Sequence, residues 1–340
     1  MVLIKRVIWL IIVLFSVACS KDDTNEGPSQ NENEEVEVLE DILDIVSIET
    51  IAETPIPKFD SYIVRGDEAF FVKGKDTYVF DFRSATWTFL GTDTDMPDYL
   101  DLGQGVSFIR NGKWNLLVDK GLFEFDFNLQ DWQVIDLFPQ VNGIFSVEGF
   151  YIEADNAVYY VDPSNGNEII YKYDLLTNQT SSYSTRVNDG AYGTISNNAF
   201  IVNNSFYYLT LGDWNNMLVS KFNEDFTTLD IINDYETEYF LDSSVAMLLD
   251  DNIIFGFGGV PSVDNNETVI YAPSTLKFYY YNITKNTFTE MPTPFYESCY
   301  GAMVVSYNNE YYLINGNTIT NKKIEARNTI EKIKFDFVKQ

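Results

Sequence analysis

A short motif recurs at intervals near fifty residues along most of this 340-residue chain. Self-similarity on that scale confines the fold to repeat architectures, because one unit cannot bury its apolar faces alone. The motif is an alternating aromatic strand ending in Asp or Asn, a polar turn, and a second strand. It reads Tyr78-Val79-Phe80-Asp81-Phe82 with Trp87, and Phe123-Glu124-Phe125-Asp126-Phe127 with Trp132. It returns as Tyr171-Lys172-Tyr173-Asp174 with Thr180, and as Ser220-Lys221-Phe222-Asn223 with Leu229. The last copies are Tyr279-Tyr280-Tyr281-Asn282 with Phe288, and Ile333-Lys334-Phe335-Asp336. The Asp/Asn positions step by 45, 48, 49, 59 and 54 residues. In five copies a bulky or β-branched residue lies six positions later. An Asx side chain can bond its own backbone, which suits a turn between two strands.

Two more strands precede the motif in several copies. Before Asp126 they are residues 105–109 and 114–118, joined by Arg110-Asn111-Gly112-Lys113, a hairpin signal. Before Asn282 they are residues 245–249 and 253–257, and before Asp336 residues 302–307 and 311–314. Each unit therefore reads as four short strands. Aromatic residues, 16% of the chain, favour strands. No long stretch beyond the N-terminal segment has helical periodicity.

The aromatic-Asp element followed by Trp at Asp81/Trp87 and Asp126/Trp132, with the double glycine Gly258-Gly259, resembles the kelch repeat family. That resemblance implies an all-β, six-bladed β-propeller over residues 42–340, with four-stranded blades. The sixth copy reaches Gln340 after only its third strand. Residues 44–51 (DIVSIETI) form an unassigned alternating strand ahead of the first blade. This N-terminal strand is expected to complete the sixth blade and close the ring, leaving no edge exposed. Seven blades, or an open set of sheets, are the alternatives.

The N-terminus speaks to location. Lys5 and Arg6 precede an uncharged run of nine residues, Val7 to Phe15, too short to span a bilayer as a helix. Ser16-Val17-Ala18-Cys19 resembles a bacterial lipobox, with residues 1–18 as signal peptide and Cys19 as the lipidated residue. The following Ser20-Lys21-Asp22-Asp23 resembles the export signal of Bacteroidetes-type surface lipoproteins. Residues 19–41 are expected to form the lipidated cysteine and a disordered acidic tether. The expected location is the outer membrane, lipid-anchored and surface-exposed.

Composition narrows the chemistry. With 22 basic and 51 acidic residues the formal charge is −29, which repels phosphate backbones and argues against nucleic acid as partner. Histidine is absent, so Ser-His-Asp and Cys-His catalysis and histidine-ligated metals are excluded. Two cysteines, Cys19 and Cys299, cannot build a disulfide framework. No cofactor and no metal site is expected. Residues 162–168 are rich in oxygen ligands but misplace the glycine of an EF-hand loop.

With strands labelled a to d from the axis outward, the d-to-a and b-to-c connections share one face. They are the longer ones, notably 91–105, 233–243, 260–274, 291–301 and 315–329, and long loops on a rigid scaffold carry function. Candidate ligand-binding residues there are Tyr99, Asp101, Arg186, Asp189, Tyr192, Trp214, Tyr239, Tyr271, Tyr296 and Arg327, with Phe138 and Tyr235 beside them. Aromatic platforms beside hydrogen-bonding groups suit glycan. The basic residues Arg186, Lys322, Lys323 and Arg327 could hold an anionic group, or pair with neighbouring acids. The reading is a non-catalytic binding or scaffold module for glycan or an envelope protein. The alternative is a carbohydrate-active enzyme on the same face, an epimerase, a mutarotase or a carboxylate-pair glycosidase.

Overall fold

The repeating motif folds through its turn. Asp81 Oδ1 accepts the backbone N–H groups of Arg83 and Ser84 at 2.9 and 2.8 Å. Asp174 does the same for Leu176 and Thr177, both at 2.9 Å. Four residues past the Asp or Asn, Ala85, Gln130, Asn178 and Asn286 adopt φ between 52 and 55°. That left-handed residue lets the chain reverse and pair again. The register then sets Phe80 opposite Trp87, Phe125 opposite Trp132, and Tyr281 opposite Phe288. The six-residue spacing in the sequence is this cross-strand pairing.

The computed structural model describes residues 41–93, 105–118, 120–138, 148–162, 169–184, 195–196, 199–211, 216–236, 244–256, 262–263, 269–271, 278–292, 301–321 and 323–339. Among them there are strands and no helix. By contact density the chain divides at Glu40, and residues 41–340 form one unit. It begins with β1 (Asp41–Glu53). Blade 1 is β2 (Ser61–Arg65), β3 (Glu68–Lys73), β4 (Asp76–Asp81) and β5 (Thr86–Thr92). Blade 2 is β6 (Val106–Arg110), β7 (Lys113–Val118), β8 (Gly121–Asp126) and β9 (Asp131–Leu137). Blade 3 is β10 (Glu148–Ile152), β11 (Ala157–Asp162), β12 (Ile169–Asp174) and β13 (Gln179–Ser184). The short strand β14 (Ile195–Ser196) leads into blade 4, which is β15 (Ala199–Val202), β16 (Ser205–Leu211), β17 (Asn216–Phe222) and β18 (Leu229–Glu236). Blade 5 starts with β19 (Ser244–Leu249) and β20 (Asn252–Gly256). A hairpin, β21 (Ser262–Val263) and β22 (Val269–Tyr271), intervenes before β23 (Tyr279–Asn282) and β24 (Thr287–Glu290). Blade 6 has β25 (Met303–Tyr307) and β26 (Glu310–Ile314), a hairpin of β27 (Asn317–Thr320) and β28 (Lys323–Ala326), and β29 (Thr329–Lys339).

The sixth sheet runs β25-β26-β29-β1, so the N-terminal strand is its outermost member. Asp41 pairs with Lys339 and Glu53 with Thr329, with two register shifts between. The ring is closed as the alternation of residues 44–51 implied, and six four-stranded blades form a β-propeller. Each core cluster lies between neighbouring blades. Leu43, Ile45, Leu313 and Ile333 of blade 6 pack on Val245, Ile254 and Tyr280 of blade 5. Phe71 and Phe80 of blade 1 pack on Val305 and Ile330 of blade 6. Trp114, Phe125 and Trp132 of blade 2 meet Phe70 and Val79 of blade 1. Burying an aromatic or branched side chain contributes about 1.5–3 kcal/mol, so stability is spread around the ring. Two of the expected long loops each hold a hairpin, β21–β22 within 260–274 and β27–β28 within 315–329.

Candidate functional site

The antiparallel blades place the a–b and c–d turns on one face and the b–c and d–a connections on the other. Among the described residues, the three additions to the minimal blade belong to the second face. Two are the hairpins β21–β22 and β27–β28, in adjacent blades. The third is β14, which pairs parallel with the start of β19 through Ile195–Ser244 and Ser196–Val245. The lead-in to blade 4 thereby bonds to the inner edge of blade 5 at the channel mouth.

The innermost strands enclose an axial cavity of about 390 Å³, within the range of small-molecule sites. Residues of all six blades line it, among them Ser61, Ser107, Gly149, Phe200, Met247 and Ser306. Several polar groups of its wall are bonded between blades. Ser61 and Ser107 hydroxyls lie 2.8 Å apart, joining blades 1 and 2, and Trp114 Nε1 donates to Ser107 Oγ at 3.1 Å. Tyr62 OH donates to the Val304 carbonyl of blade 6 at 2.5 Å. Tyr311 OH donates to the Leu248 carbonyl of blade 5 at 2.8 Å. Burial, with the charge of Asp250 adding to it, pushes the Tyr311 phenol up to about 12. It therefore stays a neutral donor at ordinary pH.

Asp60 is the one carboxylate among the described lining residues. Its side chain is 2% exposed and meets Lys73 Nζ at 2.6 Å and the Gly74 N–H at 2.7 Å. A buried carboxylate so held is a structural anchor for the strand start. The wall thus offers apolar surface interrupted by hydroxyls, which suits a small neutral ligand better than an ion.

Of the candidate ligand residues, Arg327 is described in most detail. It follows β28, and its guanidinium is paired with Glu331; both side chains are largely buried. Its backbone N–H donates to Gly316 O at 2.8 Å. Next to it, Thr54 Oγ1 donates to Asn315 Oδ1 at 2.5 Å, and Thr54 N to Asn328 O at 2.9 Å. These bonds tie the end of β1 to blade 6. Arg327 itself pairs with an acid of its own blade. Tyr271 ends β22. Tyr99, Asp101, Arg186, Asp189, Tyr192, Trp214, Tyr239 and Tyr296 lie outside the described residues, as do Cys19, Gly258, Gly259, Cys299 and Lys322. Lys323 is exposed on β28. Phe138 and Tyr235 are packing residues: Phe138 lies 5.3 Å from the Tyr173 ring and Tyr235 stacks on Phe288 at 4.8 Å. The channel hydroxyls escaped the sequence reading because Ser61 and Ser107 sit inside ordinary alternating strands.

No family model and no curated protein matches the chain. Among solved structures, that of YjhT superposes with a TM-score of 0.57 at 13% identity, over 84% of this chain and 99% of that one. The extracellular domain of BT4673 from B. thetaiotaomicron aligns at 12% identity and TM-score 0.46, over 85% of this chain and 35% of that one. TolB from Acinetobacter baumannii aligns at 12% identity and TM-score 0.41, over 79% of this chain and 65% of that one. The YjhT likeness carries the fold and nothing finer: this chain folds as a six-bladed β-propeller.

Proposed function

We propose that this chain is a cell-envelope lipoprotein whose propeller is a non-catalytic binding module for glycan or a partner protein. The observation that carries this reading is the asymmetry of the ring. Extra strands β14, β21–β22 and β27–β28 gather on one face, around a channel mouth. In the channel, the hydroxyls of Ser61, Ser107, Tyr62 and Tyr311 and the Asp60 carboxylate bond to the protein itself. That arrangement favours recognition over proton transfer. The N-terminal reading adds the anchor through Cys19 and an outer-membrane, surface-exposed location. Kelch-like ancestry is part of the same proposal, resting on Asp81/Trp87 and Asp126/Trp132.

The test is retention of ligand by the purified, folded protein on a glycan array, with pull-down from the envelope fraction. Binding that is lost when the β27–β28 hairpin is replaced by a short turn supports the reading. A folded protein that retains neither glycan nor envelope protein overturns it. Turnover of a sugar substrate would replace it with the enzyme alternative. Mass analysis of the N-terminal peptide, with and without Cys19→Ala, tests the anchor separately.

A further inference from the structure

The opposite face, made of a–b and c–d turns, carries rigidly presented apolar tips. In blade 2, Asp126 Oδ1 accepts the N–H groups of Asn128 and Leu129 at 2.9 and 3.3 Å, and Leu129 is 68% exposed. In blade 3, Asp174 caps Leu176 and Thr177, and Leu176 is 78% exposed. The cap holds the backbone of each turn, and both leucine side chains stand in solvent. Phe337, 56% exposed, stands at the same end of blade 6. The equivalent turn of blade 5 presents Lys285, also exposed, while that of blade 1 presents Arg83 paired with Asp67.

The chain also enters the propeller at this end. β29 descends from the b–c connection, and Asp41 pairs with its last residue, Lys339. Cys19 precedes Asp41 by 22 residues, a covalent reach of at most about 75 Å. We propose that the turn face rests on a lipid surface, with Leu129, Leu176 and Phe337 entering the boundary between headgroups and acyl chains. This rests on the anchored reading above. Branched and aromatic tips gain by leaving water at that boundary, and long cationic side chains reach headgroup phosphates. The net charge of −29 selects a zwitterionic surface, since anionic lipid would repel the chain. Docked so, the face with the hairpins points away from the membrane.

The experiment uses the full lipidated protein in phosphatidylcholine nanodiscs containing a photo-crosslinking phosphatidylcholine. The lipid adduct on Cys19 is confirmed by mass, and crosslinks are mapped by proteolysis. Crosslinks should concentrate on residues 127–130, 175–178 and 335–339, with about tenfold fewer on the hairpin at 317–326. In Leu129→Ser/Leu176→Ser they should fall about tenfold at those two turns, with Cys19 still lipidated and the melting temperature unchanged. Equal crosslinking of both faces, or none on the turns, overturns the proposal. If Cys19 carries no lipid, the anchored reading fails alone. Docking is then judged by co-sedimentation with phosphatidylcholine vesicles. Binding that drops about tenfold in the double variant sustains it, and no binding overturns it.

Discussion

Asp44 of β1 stands directly opposite Asp336 of β29, in the strand pair that closes the ring. Asp336 occupies the position that in other blades starts the capped c–d turn. Here no turn follows, because the fourth strand arrives from the other end of the chain. The side chain instead bonds the next N–H, Phe337 N, at 2.9 Å. Like charges facing each other across a strand pair destabilise by roughly 0.2–1 kcal/mol. Asp336→Asn keeps the acceptor and removes one charge. It should stabilise the propeller by about 0.5 kcal/mol in low salt, and the gain should shrink at 1 M salt. Urea titrations at the two ionic strengths measure both effects. A destabilised variant would mean that the carboxylate is favourable where it stands.

The closure should also be the weak point of the ring. Leu43 is buried between blades 5 and 6, whereas Ile48 on the same strand is exposed. Leu43→Ala should cost about 2–5 kcal/mol, and Ile48→Ala under about 0.5 kcal/mol. Differential scanning calorimetry compares them. Equal effects would show that β1 adds little to the fold.

How much of this was open to a reader of the sequence follows from which interactions are local. The Asx-capped turn with its partner six residues on lies within one short window, so Asp81, Asp126, Asp174 and Asn282 marked their blades. The alternation of residues 44–51 likewise exposed the closing strand. Interactions between blades were invisible. The bond from Tyr62 to the Val304 carbonyl joins positions 242 residues apart, and no local pattern announces it. The β21–β22 and β27–β28 hairpins read as loops because they are short and lack a run of aromatic alternation. The channel wall is assembled from short segments of all six blades, set some fifty positions apart, and no pattern in a single window signals that.

The capped turns give the acid limb of stability a defined origin. Asp81 and Asp126 lie below the usual carboxylate range, held there first by the backbone N–H of Ser84 and of Asn128 respectively. Asp174 is lowered likewise, chiefly by Thr177 N–H. A carboxyl group lowered in the folded state contributes stability that is full above its unfolded value. That contribution is lost as pH falls through the folded value. The window is therefore below about pH 4. A triple Asp→Asn variant at 81, 126 and 174 should show a flatter stability profile below about pH 4. An unaltered acid limb would assign it to other carboxylates.

The left-handed turn residues supply the last test. Asn178 and Asn286 suit φ near 54 and 55°, because a short amide tolerates that region. Gln130 holds the same place at φ 55° with a longer side chain, which is exposed to solvent. Gln130→Asn changes no described core contact and should relieve backbone strain, stabilising by roughly 0.5–1 kcal/mol. The reverse exchange, Asn178→Gln, should lose a similar amount. Chemical denaturation of both single variants and the pair tests the symmetry. The turns lie in different blades and share no partner, so the two changes should cancel in the double variant. A double variant far from wild-type stability would show that the turns are coupled through the ring.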